Sequence, residues 1–136
     1  MKKTISILLT LILVLSFAAC GSTTPEGFNE DEVIAHAKAA VDLINAQDFD
    51  ALVNEMRSDV QSMLPSDQLK AAMDAPLANA GSFKAYTTVA TTPGDPEQNS
   101  GEDYVYVVLV CSYEKGSLTY TISFDKNLEI IGFYYK

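Results

Sequence analysis

The chain has no tryptophan, one histidine and two cysteines, and its nine basic residues are set against 18 acidic ones. Each shortage excludes something. With His36 as the sole histidine, no Ser-His-Asp set can be built except around that residue, and neither GxSxG nor a glycine-rich phosphate loop occurs. No cofactor is expected. Two cysteines, Cys20 and Cys111, do not make the disulfide framework that staples small secreted domains. A net charge of −9 argues against nucleic acid, whose phosphates need Lys or Arg partners. A long apolar run is missing too. Ile5–Ala19, interrupted by Ser6, Thr10 and Ser16, is fifteen residues, whereas a spanning helix needs about 20.

That short run has another meaning. Lys2 and Lys3 form a positive start, Ile5–Phe17 an apolar stretch and Ala18-Ala19 a small-residue cleavage site, so residues 1–19 read as a secretory signal peptide. Cys20 follows directly, and the arrangement resembles the lipobox of bacterial lipoproteins, with Phe17 where that motif usually has Leu. The resemblance implies a diacylglyceryl group on the Cys20 thiol, cleavage that makes Cys20 the new N-terminus, and its amine as a second acylation point. One acyl chain holds a protein only marginally, while two or more anchor it. The expected location is therefore the extracytoplasmic face of a bacterial cell membrane, with the membrane engaged through the lipid on Cys20. Removal of residues 1–19 takes away Lys2 and Lys3 and no acid, which leaves seven basic residues against 18 acidic ones and a net charge of −11. Such a surface repels anionic headgroups, so the lipid has to do the holding.

Residues 20–27, CGSTTPEG, read as the lipidated terminus and a flexible tether. Residues 28–136 are long enough for one domain with a proper core. Asn29 followed by Glu32 marks a helix start, after which Val33, Ile34, Ala37, Ala40, Val41 and Ile44 share one face. Asp31, Lys38, Asp42 and Asn45 fall opposite. Asp48 is placed to cap a second helix carrying Phe49, Leu52, Val53 and Met56, with a break near Met63-Leu64-Pro65. Ser66 is then expected to cap a third helix that ends at Gly81, kinked or shortened by Pro76. From Ser82 the apolar period changes from helical to alternating. Strands are predicted over Phe83–Ala90, Asp103–Tyr113, Ser117–Phe124 and Leu128–Tyr135, the second apolar on both faces. Helices followed by an antiparallel meander make an α+β fold with the helices on one face of the sheet.

The stretches VDLINAQDFDALVNEM, GSFKAY and SFDKNLEIIGFYYK resemble a bacterial family labelled domain of unknown function 3887. The likeness extends over residues 28–136 and rests on Asp48-Phe49 after the first helix, Gly81-Ser82-Phe83 at the start of the sheet and Ile130-Ile131-Gly132-Phe133 in the last strand. It implies a nuclear transport factor 2-like (cystatin-like) fold, in which N-terminal helices pack on a curved four-stranded antiparallel sheet to form a cone. No activity or catalytic residue comes with it.

Cys111, inside the apolar run YVYVVLVCSY, is expected to behave as a small buried hydrophobe. His36 borders the apolar stripe one turn after Glu32, which makes a simple helical contact the expected role. Asp95, Glu97, Asn99 and Asp103 alternate like calcium ligands, but Gly101 is seventh rather than sixth and position twelve is Tyr106 rather than Glu. A solvated loop is expected there, and no metal. Asp103, Glu114, Asp125 and Glu129 fall at strand ends, where carboxylates face water. All seven tyrosines lie in the sheet region, and Tyr86, Tyr104, Tyr106 and Tyr120 are the candidate lining of a pocket or interface, set against ordinary cross-strand packing. The expected function is a lipid-anchored binding or interaction module for a small ligand or protein partner, with a homodimer through the sheet face as a further expectation. The alternative is a small cone-pocket enzyme, isomerase- or lyase-like, using a buried carboxylate and Tyr.

Overall fold

The computed structural model describes residues 24–136; residues 1–19, read from the sequence as a signal peptide, and Cys20 lie outside the described residues. Pro25–Phe28 closes a turn, the Phe28 amide donating to the Pro25 carbonyl at 3.2 Å. Helix α1 (Glu30–Asn45) begins at Asn29, whose Oδ1 accepts from the Asp31 and Glu32 amides at 3.0 and 3.3 Å. Val33, Ala37, Ala40, Val41 and Ile44 are buried along it. Helix α2 (Phe49–Asn54) is capped by Asp48, as expected, through its Oδ1 and the Ala51 amide.

The second predicted helix is two. Between α2 and α3 (Ser58–Met63) the backbone leaves the helix to pair with the last strand: the Arg57 amide donates to the Ile130 carbonyl and the Ile130 amide to the Glu55 carbonyl, both at 2.9 Å. Helix α4 (Ser66–Ala80) also departs from expectation. Its cap position is Pro65, with Ser66 already inside the helix and no side-chain cap. Pro76 does not shorten it, since the helix runs on to Ala80. Proline has no N–H for the Ala72 carbonyl one turn back. Tyr135 Oη donates to that carbonyl instead, at 2.9 Å. Gly81 ends the helix as predicted, at φ 80° and ψ −151°, a conformation nearly confined to glycine.

Strands β1 (Phe83–Pro93), β2 (Val105–Tyr113), β3 (Gly116–Phe124) and β4 (Ile130–Tyr135) form an antiparallel sheet in sequence order. Two register shifts in β1, after Phe83 and after Tyr86, add curvature. The β1–β2 connection contains a 3-10 turn, Pro96–Asn99, where Asp95 Oδ1 accepts from the Glu97 amide. The inner face of β2 is buried at Val105, Val107, Leu109, Cys111 and Tyr113, and these pair in register with Phe124, Ile122, Tyr120, Leu118 and Gly116. β2 is not buried on both faces as its sequence suggested. Tyr106, Val108, Val110 and Ser112 are only half-buried, because all four helices lie on the other side of the sheet. One apolar core results, between α1, α2, α4 and the inner sheet face. Among the described residues no helix is long and apolar enough to cross a membrane.

Candidate functional site

Helix α1 has 16 residues, so it is about 24 Å long and separates two ends of the domain. At its C-terminal end, Asn45 meets Gly81 at the end of α4, Phe83 at the start of β1, and the β2–β3 hairpin. These elements enclose an open groove of about 570 Å³, lined among others by Asn45, Leu77, Phe83, Tyr113 and Glu114. Tyr113 Oη donates to Asn45 Oδ1 at 2.7 Å and lies 2.9 Å from Tyr120 Oη. A carbonyl oxygen only accepts, so the order is fixed: Tyr120 donates to Tyr113, and Tyr113 to Asn45. Tyr120 is fully buried and Tyr113 nearly so. Burial raises both hydroxyls above the ordinary tyrosine value, and for Tyr120 the bond to Tyr113 adds to the effect. The hydroxyls therefore stay protonated at neutral pH, and the relay carries an oriented dipole from the core to the groove.

Asn45 was expected on the polar face of α1, away from the domain. It is instead half-buried, one position past the buried Ile44, and turned toward Tyr113. Beside it, Tyr86 Oη donates to the Lys38 carbonyl at 3.3 Å and to Asp42 Oδ1 at 3.4 Å, and Lys38 Nζ sits 5.2 Å from the ring centroid. Burial foremost, with the Asp42 carboxylate behind it, pushes the Tyr86 hydroxyl upward. The same two causes push the Cys111 thiol up to about 11. Cys111 is a buried free cysteine, and its thiol rather than thiolate form fits the small-hydrophobe reading.

The four tyrosines singled out in the sequence do not converge. Tyr86 and Tyr120 share the inner sheet face, with partners Cys111 and Leu109 in register on β2. Tyr106 is on the outer face, paired with Ser123. Tyr104 lies beyond the start of β2 and covers Gly94, filling the space where a Cβ there would stand. Tyr113 and Asn45, which complete the relay, were missed as site residues. The alternation of Val105, Val107, Leu109 and Cys111 already put Tyr113 on the buried face, at the mouth of a tight hairpin. Nothing local marked Asn45.

At the other end, Arg57 gathers carboxylates. Its Nε and Nη2 donate to the two Asp59 oxygens at 2.9 Å, and Nη1 donates to Glu102 Oε2 at 3.0 Å and stands 3.5 Å from Asp125 Oδ2. The hydrogen bond from Arg57 holds the Asp59 carboxyl below the usual range, and the carboxylates in turn hold the guanidinium firmly protonated. Asp125 was expected to face water with the other strand-end acids. It is 7 % exposed, its Oδ1 accepting from the Asn127 and Glu129 amides. The β3–β4 turn needs that acceptor inside. His36 is exposed and sets its ring edge-on to Phe124 at 6.5 Å. Among the described residues no group of three or more His, Cys, Asp or Glu side chains is placed to hold a metal ion.

The fold and its groove define an α+β domain with four helices on one face of an open antiparallel sheet. Within that class, the chain belongs to the family described as Protein of unknown function (DUF3887), which matches residues 37–133. A solved structure, the NMR structure of a protein from Ruminococcus gnavus ATCC 29149, is similar at a TM-score of 0.71 and 20 % identity. The match covers 83 % of this chain and 96 % of that one. No curated protein matches the chain.

Proposed function

We propose that the protein is a binding module held on the extracytoplasmic face of a bacterial cell membrane by lipid on Cys20, with the groove at Tyr113 as its ligand seat. The fold is read as nuclear transport factor 2-like, with the groove at the mouth of the cone. One observation carries the binding role: a buried hydroxyl relay ends on Asn45, which lines an open groove with an apolar wall at Leu77 and Phe83. Binding sites commonly pair an apolar wall with a few fixed polar groups. Asn45 Oδ1 is taken by Tyr113, which leaves its amide hydrogens for a ligand.

The anchor rests on Lys2-Lys3, the fifteen-residue apolar run and Cys20 after Ala18-Ala19. Membrane fractionation tests it. The wild-type protein is expected with the membranes and Cys20→Ser in the soluble fraction; retention of the variant on membranes contradicts the anchor.

A further inference from the structure

The cavities of this domain differ in how their charges are answered. At the Arg57 end, the hollow of about 280 Å³ is lined by Glu102, Asp103 and Asp125 together with Arg57 and Lys126, and these pair with one another. The groove at Tyr113 has two carboxylates in its lining, Asp74 and Glu114, and neither lysine nor arginine. Asp74 is answered from outside the groove by Lys70, 2.9 Å away. Glu114 is not: among the described residues its carboxylate has no ion pair and no hydrogen bond. The neighbouring Lys115 lines a separate hollow with Pro76 and Ser117. Glu114 also lies over Gly81, its Oε2 only 3.1 Å from where a Cβ would stand, so the glycine is what lets the carboxylate rest there. Next to it, the Phe83 ring meets Tyr113 edge-on at 5.6 Å between centroids and Tyr86 at 5.0 Å.

An unanswered carboxylate beside aromatic rings, with no cation in the lining, is complementary to a positive charge on an apolar stem. Carboxylate and ring both attract an ammonium, and the chain's net charge of −9 disfavours an anion. We propose that the groove seats a primary alkylammonium group between Glu114 and the Phe83–Tyr113 pair, whether from a free amine or from a lysine side chain. Asn45 and the relay then fix the polar groups further along the ligand. This rests on the reading of the groove as the ligand seat.

The test uses the full chain in non-ionic detergent micelles, titrated with pentylamine, pentanol and pentanoate while the amide resonances of Gly81, Tyr113 and Glu114 are followed. Saturable shifts are expected with pentylamine, weaker ones with pentanol and none with pentanoate. Glu114→Gln is expected to weaken pentylamine about threefold, the size of an exposed ion pair, and Glu114→Lys to abolish its binding. Glu114 is exposed, so neither substitution threatens the fold. A blocked tripeptide, acetyl-Gly-Lys-Gly-amide, separates the two sources: tighter binding than pentylamine assigns the site to lysine side chains, weaker binding to free amines. Pentanol binding as tightly as pentylamine, or Glu114→Gln binding like wild type, overturns the ammonium seat and leaves the groove as a binding site. Silence from all three small compounds overturns both.

Discussion

At the Arg57 end, one guanidinium lies within 3.5 Å of three carboxylates, and Asp125, the most buried of them, also takes two backbone amides. At the Tyr113 end, two hydroxyls and an amide pass hydrogen bonds in one direction and stop at a groove. Both ends stitch together segments remote in sequence. Arg57 joins the α2–α3 junction to the β1–β2 and β3–β4 connections, while the relay joins α1 to the β2–β3 hairpin. The difference is that the first cluster satisfies itself, and the second leaves polar capacity at an opening. A closed ionic cluster is the chemistry of a fastener; an oriented neutral relay ending in a groove is the arrangement on which the proposed binding role rests.

Substitutions that separate the two ends sharpen this contrast. The largest loss is expected for Gly81→Ala, which forces a side chain into a conformation costing about 3 kcal/mol and drives a Cβ against Glu114. Denaturant unfolding reads the stability, and the resonances of the hairpin read the displaced groove wall. Next come the relay tyrosines, which are expected to be unequal. Tyr113→Phe strands the buried Tyr120 hydroxyl and costs about 2 kcal/mol, whereas Tyr120→Phe leaves Tyr113 still donating to Asn45 and costs about 1 kcal/mol. Equal losses would show that the relay has no direction. The same pair carries a pH signature. Unfolded tyrosines ionise near pH 10, while burial raises Tyr113 and Tyr120 above that in the folded chain. Their contribution is therefore full below about pH 10 and is lost as pH rises toward the folded values; Tyr120→Phe is expected to flatten part of that decline.

Arg57→Lys should give the smallest change: an ammonium loses the two parallel bonds to Asp59, but the pairs are partly in water and each is worth little. Since the folded Asp59 value is lowered, its contribution is present above about pH 4 and lost as pH falls through the lowered value. Acid unfolding of wild type and variant should differ at low salt and converge in about 1 M salt. A large, salt-resistant loss would make the Arg57 end more than an exposed fastener.

Much of the architecture is legible in the sequence because it follows from local periods. The α1 stripe apart from Ile34 and Asn45, the Asn29 and Asp48 caps, the Gly81 stop and the change to alternation after Ser82 are legible without knowledge of the fold. What escapes is what depends on a distant partner. The split between α2 and α3 is made by pairing of residues 55–57 with Ile130 in the last strand, and nothing in residues 49–63 announces it. The open outer face of β2 was hidden because Val108 and Val110 look like core. At the site, Tyr113 was within reach of the alternating pattern, but Asn45 is drawn inward by a tyrosine 68 residues later. Strand parity sends Tyr106 to the opposite face of the sheet from Tyr113.

The bond from Tyr135 to the Ala72 carbonyl makes α4 depend on the sheet. That carbonyl is released by Pro76, and its partner lies 63 residues further along the chain. Without the fourth strand, that carbonyl has no partner inside α4 and is left to water. The last strand of the sheet therefore supplies the hydrogen bond that the proline of α4 withholds.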